Sequence, residues 1–111
     1  MRKIAHKSRA PWVTGAALAV ITIAIFCRVV TFDFVVYDDH SYVTANPQVQ
    51  TGLSVKNIVW AFTSSHACNW HPLTWLSLML DCQLFGPDAG KLHMTNLLLH
   101  TANTVLLFII L

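Results

Sequence analysis

Residues 10–31, APWVTGAALAVITIAIFCRVVT, decide what kind of fold this chain can adopt. No charged side chain occurs from Ala10 to Cys27, and the run is rich in Ala, Val and Ile. A helix crossing the hydrocarbon layer of a bilayer needs about 20 apolar residues at about 1.5 Å each. Continuing past Arg28 through Val29 and Val30 supplies that length, with the Arg28 stem able to snorkel to the interface. A cleaved secretory signal is the alternative, since a basic segment precedes the run. No Ala-x-Ala-like site follows it, only Phe26-Cys27-Arg28 and bulky residues, so an uncleaved anchor is expected.

Composition agrees. The 111 residues are 55% hydrophobic and 11% charged, with a net charge of +2. An average soluble chain is about one-quarter charged, so too few charges remain to cover a soluble surface, and the hydrophobicity excludes intrinsic disorder. The small net charge argues against a nucleic-acid partner. A second apolar run begins near Leu92 and continues to Leu111 without a stop signal. The expected fold is therefore all-α and integral to a membrane. Two transmembrane helices, the second truncated, are joined by a loop with amphipathic helices, and the chain is expected to be a fragment of a longer protein. The expected segments are a tail (1–9), a first span (10–31), a loop (32–91) and the start of a second span (92–111).

Arg2, Lys3, Lys7 and Arg9 precede the first span, whereas Lys56 and Lys91 alone lie between the spans. The positive-inside rule then predicts a cytoplasmic N-terminus and an extracytoplasmic loop. Within that loop Ser54 is the expected N-cap of a helix over 55–63, with Val55, Ile58, Val59 and Phe62 on one face. Pro72 and Gly86-Pro87 bracket a second helix. On it Leu73, Leu76, Leu80 and Leu84 form an apolar stripe, and Thr74, Ser77 and Asp81 a polar one. Trp60, Trp70 and Trp75 lie in the loop, and Trp is enriched at membrane–water boundaries, so both helices are expected to lie along the interface.

Three groups of residues carry candidate chemistry. Tyr37-Asp38-Asp39-His40 follows the first span. Adjacent carboxylates at the edge of a low-dielectric layer suit a general base, and a solvated acidic turn is the bland alternative. In the second span His93, Asn96, His100 and Asn103 share one helix face. Polar groups in a bilayer face a cavity or a partner helix, so a polar cleft or interhelical hydrogen bonding is expected there. Third, His71 stands before the helix start in Asn69-Trp70-His71-Pro72-Leu73-Thr74-Trp75, where anions are favoured; a buried, hydrogen-bonded His is the default reading. His66, Cys68 and His71 lack a fourth zinc ligand and fit no common spacing, so no metal is expected. Cys68 and Cys82 are expected to be too far apart to bridge if 72–85 is helical.

Read in order, these blocks have a family likeness. Tyr37-Asp38-Asp39, Tyr42-Val43, Asn46-Pro47, Gly52-Leu53 and Trp60-Ala61-Phe62-Thr63 are followed by Asn69 to Leu76. Then come Leu80-Asp81-Cys82-Gln83-Leu84-Phe85-Gly86, His93 and Asn96-Leu97-Leu98-Leu99-His100. Over most of residues 32–111 the chain resembles the N-terminal part of the transmembrane and tetratricopeptide-repeat proteins. These are relatives of the protein O-mannosyltransferases in the GT-C glycosyltransferase superfamily. The resemblance implies a multi-span enzyme followed by helical repeats. It implies transfer of a sugar, typically mannose, from a lipid-phosphate carrier to a hydroxyl of a protein or glycan acceptor, without a cofactor. Asp38 and Asp39 match the acidic pair, with Asp38 the preferred base. His71 and His93 are the implied donors to the leaving phosphate, supported by Asn96 or His100. The fragment alone is expected to be inactive. A non-catalytic membrane scaffold, whose downstream repeats bind protein partners, is the alternative.

Overall fold

The computed structural model describes residues 10–111; the expected tail, 1–9, lies outside the described residues. Among these the regular structure is entirely helical. Two helices are long and apolar enough to cross a membrane, Ala10–Thr31 and Ala89–Ile110. The chain divides into two compact units, one holding the residues up to Arg28 together with Asn96–Leu111, the other holding Val29–Thr95.

In the first unit, α1 (Ala10–Phe26) tightens into a 3₁₀ turn at Cys27–Thr31. The C-terminal part of α5 (Ala89–Ile110) belongs to the same unit. The rings of Phe26 and His100 meet edge to face at 5.3 Å. A Cβ on Gly15 would lie 3.7 Å from Val105 Cγ1, so at this level only a minimal side chain separates the helices. Around it runs an apolar groove of about 440 Å³, lined by Trp12, Gly15, Ala16, Ala19, Val105 and Phe108 among others. Most side chains of α1 face outward, including Val20, Ile21 and Ile25. That is the signature of a helix whose surroundings are apolar.

The second unit is built by local capping around one core. A π-helical turn, His40–Thr44, leads to α2 (Pro47–Gln50). Asn46 caps α2, its Oδ1 accepting from Val49 N–H at 3.3 Å. The Gln50 side-chain amide donates to the carbonyls of Val43 and Thr44, both at 2.8 Å. α3 (Val55–Thr63) starts as expected at Ser54, whose Oγ accepts from Asn57 N–H at 3.1 Å. α4 (Pro72–Phe85) starts and stops at its Pro and Gly signals and packs against α2 and α3. The second long helix begins at Ala89, three residues before the expected Leu92. There the Asp88 carboxylate accepts from Lys91 N–H at 2.9 Å, a cap that satisfies one of the orphan donors of a helix start.

The core of this unit is Val43, Val49, Ala61, Trp75, Met79, Cys82 and Leu92. One expectation is corrected by it. Trp75, expected at a membrane boundary, is 0% exposed. Its ring is the hub that Tyr42 and His71 meet at a tilt and Trp60 and His66 meet edge to face. The apolar face of α3 is not the one that packs into this core. Val55, Ile58, Val59 and Phe62 are exposed, while Asn57 and Ala61 are buried. Asn57 tolerates burial because its Nδ2 donates to Gly52 O at 2.7 Å and to Thr51 Oγ1 at 3.0 Å, and a buried polar group with partners is not penalised. On α4 Leu73, Leu80 and Leu84 face outward and Leu76 packs against the core, while Asp81 from the polar stripe faces inward. Periodicity locates an apolar stripe without saying whether the protein or its surroundings will cover it.

Candidate functional site

The acidic pair begins the turn that carries Tyr42, and its two members have different roles. Asp39 is half-buried, and its Oδ2 accepts from Val35 N–H at 2.7 Å. This side-chain-to-backbone bond closes the chain from 35 to 39 on itself. Asp38 is exposed and makes no hydrogen bond among the described residues. One carboxylate therefore shapes the backbone, and the other is unengaged.

Four residues after Asp38, Tyr42 enters an aromatic nest. Its ring lies 4.9 Å from Trp75 and 5.3 Å from His71, and His71 lies 4.8 Å from Trp75. Trp60 and His66 complete the nest at 5.2 Å and 5.7 Å from Trp75. The segment after α3 wraps around this cluster. His66 Nε2 lies 3.0 Å from the Ser41 carbonyl and must donate there, since a carbonyl only accepts. Asn69 Nδ2 donates to Tyr42 Oη at 3.0 Å, and Trp70 Nε1 donates to Phe62 O at 2.9 Å. To make these contacts Ala67 and Cys68 adopt φ of 53° and 60°. Left-handed backbone costs a residue with a Cβ about 1–2 kcal/mol, and the wrapping contacts hold it there.

Within the nest, His71 Nε2 and Trp75 Nε1 are buried without a hydrogen-bond partner among the described residues. His93 Nε2, in the first turns of α5, is buried and unpartnered in the same way. Buried polar atoms in native proteins almost always have a protein or water partner, which marks these nitrogens as places where a hydrogen-bond partner belongs. The rest of the expected polar face of α5 differs in setting. Asn96 and Asn103 are exposed, and so is His100, against Phe26. Among the described residues no group of three or more His, Cys, Asp or Glu side chains is placed to hold a metal ion. The cysteines are free: Cys27 and Cys68 exposed, Cys82 buried.

Sequence reasoning missed Tyr42, Trp75 and Asp81. A signal for Trp75 existed. His71 and Trp75 are four residues apart across a helix start, which stacks them on one face. Asp81 reads as part of an exposed polar stripe, yet it is 6% exposed, and its Oδ1 accepts from Thr95 Oγ1 at 2.8 Å. Burial raises its pKa above the ordinary carboxylate value, and the Thr95 hydroxyl offsets part of that rise. Burial and the neighbouring Asp81 charge push the Cys82 thiol up as well.

A folded-state carboxyl that holds its proton more tightly than the unfolded one stabilises the fold at low pH. The advantage is complete below the unfolded pKa and disappears as pH rises through the folded pKa. The loop unit should thus lose stability across the acid range and level off above it. Asp81→Asn, which keeps an oxygen for Thr95, should flatten that profile. Thermal unfolding in detergent at a series of pH values measures this, and an unchanged slope in the variant would show that Asp81 is not its source.

Compared with protein-family models, curated proteins and solved structures, the chain matches none. What fold and site define is an all-helical chain with two helices long and apolar enough to span a membrane. Val29–Thr95, which links these helices, carries a free acid and a histidine–tryptophan nest.

Proposed function

We propose that the chain is the N-terminal part of a membrane glycosyltransferase that moves a sugar from a lipid-phosphate carrier to a hydroxyl acceptor. Mannose is the sugar of the family it resembles. The N-terminus is cytoplasmic in this reading, and the loop unit faces the opposite side. The observation that supports it is the division of labour in the acidic pair: Asp39 is tied to Val35 N–H, and Asp38 is exposed and unengaged.

In this mechanism Asp38 takes the proton from the acceptor hydroxyl as its oxygen attacks the anomeric carbon. The bond from that carbon to the phosphate oxygen breaks, the lipid phosphate leaves, and configuration inverts. The leaving group gains negative charge, which placed donors stabilise. His71 and His93 each have a buried nitrogen without a partner to offer it.

The test is sugar transfer in membranes by the full-length protein with Asp38→Asn, at matched protein levels. Loss of a general base typically costs about 10²–10⁴-fold in rate, and a loss of that size is expected. Asp39→Asn keeps an acceptor for Val35 N–H and should cost less. Unchanged transfer by Asp38→Asn would remove the base assignment.

A further inference from the structure

We propose that His66 is a positioning residue for Asp38: its ring N–H, bonded to the Ser41 carbonyl, fixes the helical turn on which that carboxylate stands. The inference rests on the reading of Asp38 as the base and adds to it a residue distant in sequence. Asp38 makes no hydrogen bond among the described residues, so its place is set by its backbone. That backbone opens a continuous helical turn over 38–44, of which His40–Thr44 is π-helical, a rare form that occurs often at functional sites. Ser41 and Tyr42 lie three and four residues on, about one helical turn from Asp38. Whatever holds these two residues holds the carboxylate.

The two ends of the turn are held locally. Asp39 Oδ2 accepts from Val35 N–H on one side, and the Gln50 amide donates to the carbonyls of Val43 and Thr44 on the other. The middle is held from 25 residues away, where His66 Nε2 donates to Ser41 O at 3.0 Å. Asn69 Nδ2 also reaches this part, but it donates to the Tyr42 hydroxyl, at the end of a side chain. Only His66 grips the backbone itself. Its ring lies 5.7 Å from Trp60 and 5.7 Å from Trp75, and Trp75 is fully buried, so the core aims the donor. Directly after it, Ala67 and Cys68 take left-handed φ of 53° and 60°. Strain of this kind persists only where surrounding contacts over-determine it, and it gathers at functional sites. Because Nε2 is committed to a carbonyl, His66 acts through Ser41 and not on a substrate. The gain is catalytic: a base must stand within hydrogen-bond reach of the proton it takes, and a misplacement of about 1 Å can cost about 10²-fold in rate.

The experiment uses the full-length protein in membranes at matched levels. His66→Phe keeps a ring for Trp60 and Trp75 and removes the donor. His66→Gln removes the ring and keeps an N–H at comparable reach, and Asp38→Asn is the reference. His66→Phe is expected to lower kcat for sugar transfer by about 10²-fold. KM for the lipid-linked donor should not change, since His71 and His93 are untouched. His66→Gln should recover most of the lost rate. Amide exchange followed by mass spectrometry should quicken over 38–44 in His66→Phe and stay as in the wild type over 72–85. Full transfer by His66→Phe beside a loss in Asp38→Asn would overturn the inference and leave the base reading standing. Unchanged transfer by Asp38→Asn would remove both. Unchanged exchange over 38–44 in His66→Phe would show that the turn does not depend on the donor, and the inference would fall whatever the rate. Lost protection over 72–85 in either His66 variant, or a folded His66→Gln that recovers no rate, would assign His66 to packing alone and sink the proposal.

Discussion

Trp75→Ala is expected to unfold the loop unit while leaving the helix pair intact. Trp75 is the largest fully buried side chain of the structure, and four rings meet its own at 4.8–5.7 Å. Removing a buried Trp typically costs about 3–5 kcal/mol, from lost transfer energy and the cavity left behind. Aromatic pairs add about 0.5–1.5 kcal/mol each beyond their area. The strained turn at Ala67-Cys68 also depends on this hub, since His66 stacks on Trp75 from that turn. The total approaches the whole stability of many small domains, about 5–15 kcal/mol. Amide exchange followed by mass spectrometry in detergent should show lost protection over 40–85 and retained protection in α1. Protection unchanged in both regions would mean that the nest contributes little. Trp75→Phe, which fills most of the volume and lacks the unpartnered N–H, should keep the fold.

The second large effect is expected at Gly90. Local propensity points one way, because Ala is better than Gly inside a helix by about 1 kcal/mol, and Gly90 lies in the first turn of α5. The tertiary structure points the other way. A Cβ built on Gly90 would clash with the carbonyl oxygen of Val30. That contact is with backbone, which has no rotamer to yield. Gly90 is what allows the chain after α1 and the start of α5 to approach so closely. Forced overpacking costs about 1–3 kcal/mol, and more when backbone must move. Gly90→Ala should therefore lower the unfolding midpoint of the loop unit, and Gly90→Val should lower it further. An increase on Gly90→Ala would mean that helix propensity outweighs the close approach.

Gly52 has the same logic at smaller scale. It holds a φ of 77°, and a Cβ there would lie 3.0 Å from Gln83 Cβ. The Gln83 side chain cannot simply turn away, because its Oε1 accepts from Leu53 N–H at 3.0 Å.

Much of the architecture was legible in the residues themselves. The Ser54 cap, Pro72 at a helix start and the Gly86-Pro87 stop each act within one turn of chain, and each is where it was expected. The extent of α1 with its 3₁₀ extension, Ala10–Thr31, coincides with the apolar run, since length and hydropathy are properties of the sequence. The start of α5 at Ala89 is set by the Asp88 cap, which hydropathy alone does not locate. The candidate site was less legible. Asp38 and Asp39 are neighbours of one chemical type, and only the backbone path of 35–39 distinguishes the free acid from the tethered one.

By itself the sequence determined that the chain is helical, where the caps fall, and that two segments are apolar enough to leave water. All of these depend on side chains a few residues apart. Tertiary structure alone decided that Trp75, not the leucine stripe, is the centre of the core, and that Asn57 and Asp81 turn inward. It also decided that Gly90 must lack a side chain. The reason is physical: an amphipathic helix specifies two faces, but which face is covered depends on partners distant in sequence, whose hydrogen bonds and backbone oxygens exist only once the chain has closed on itself.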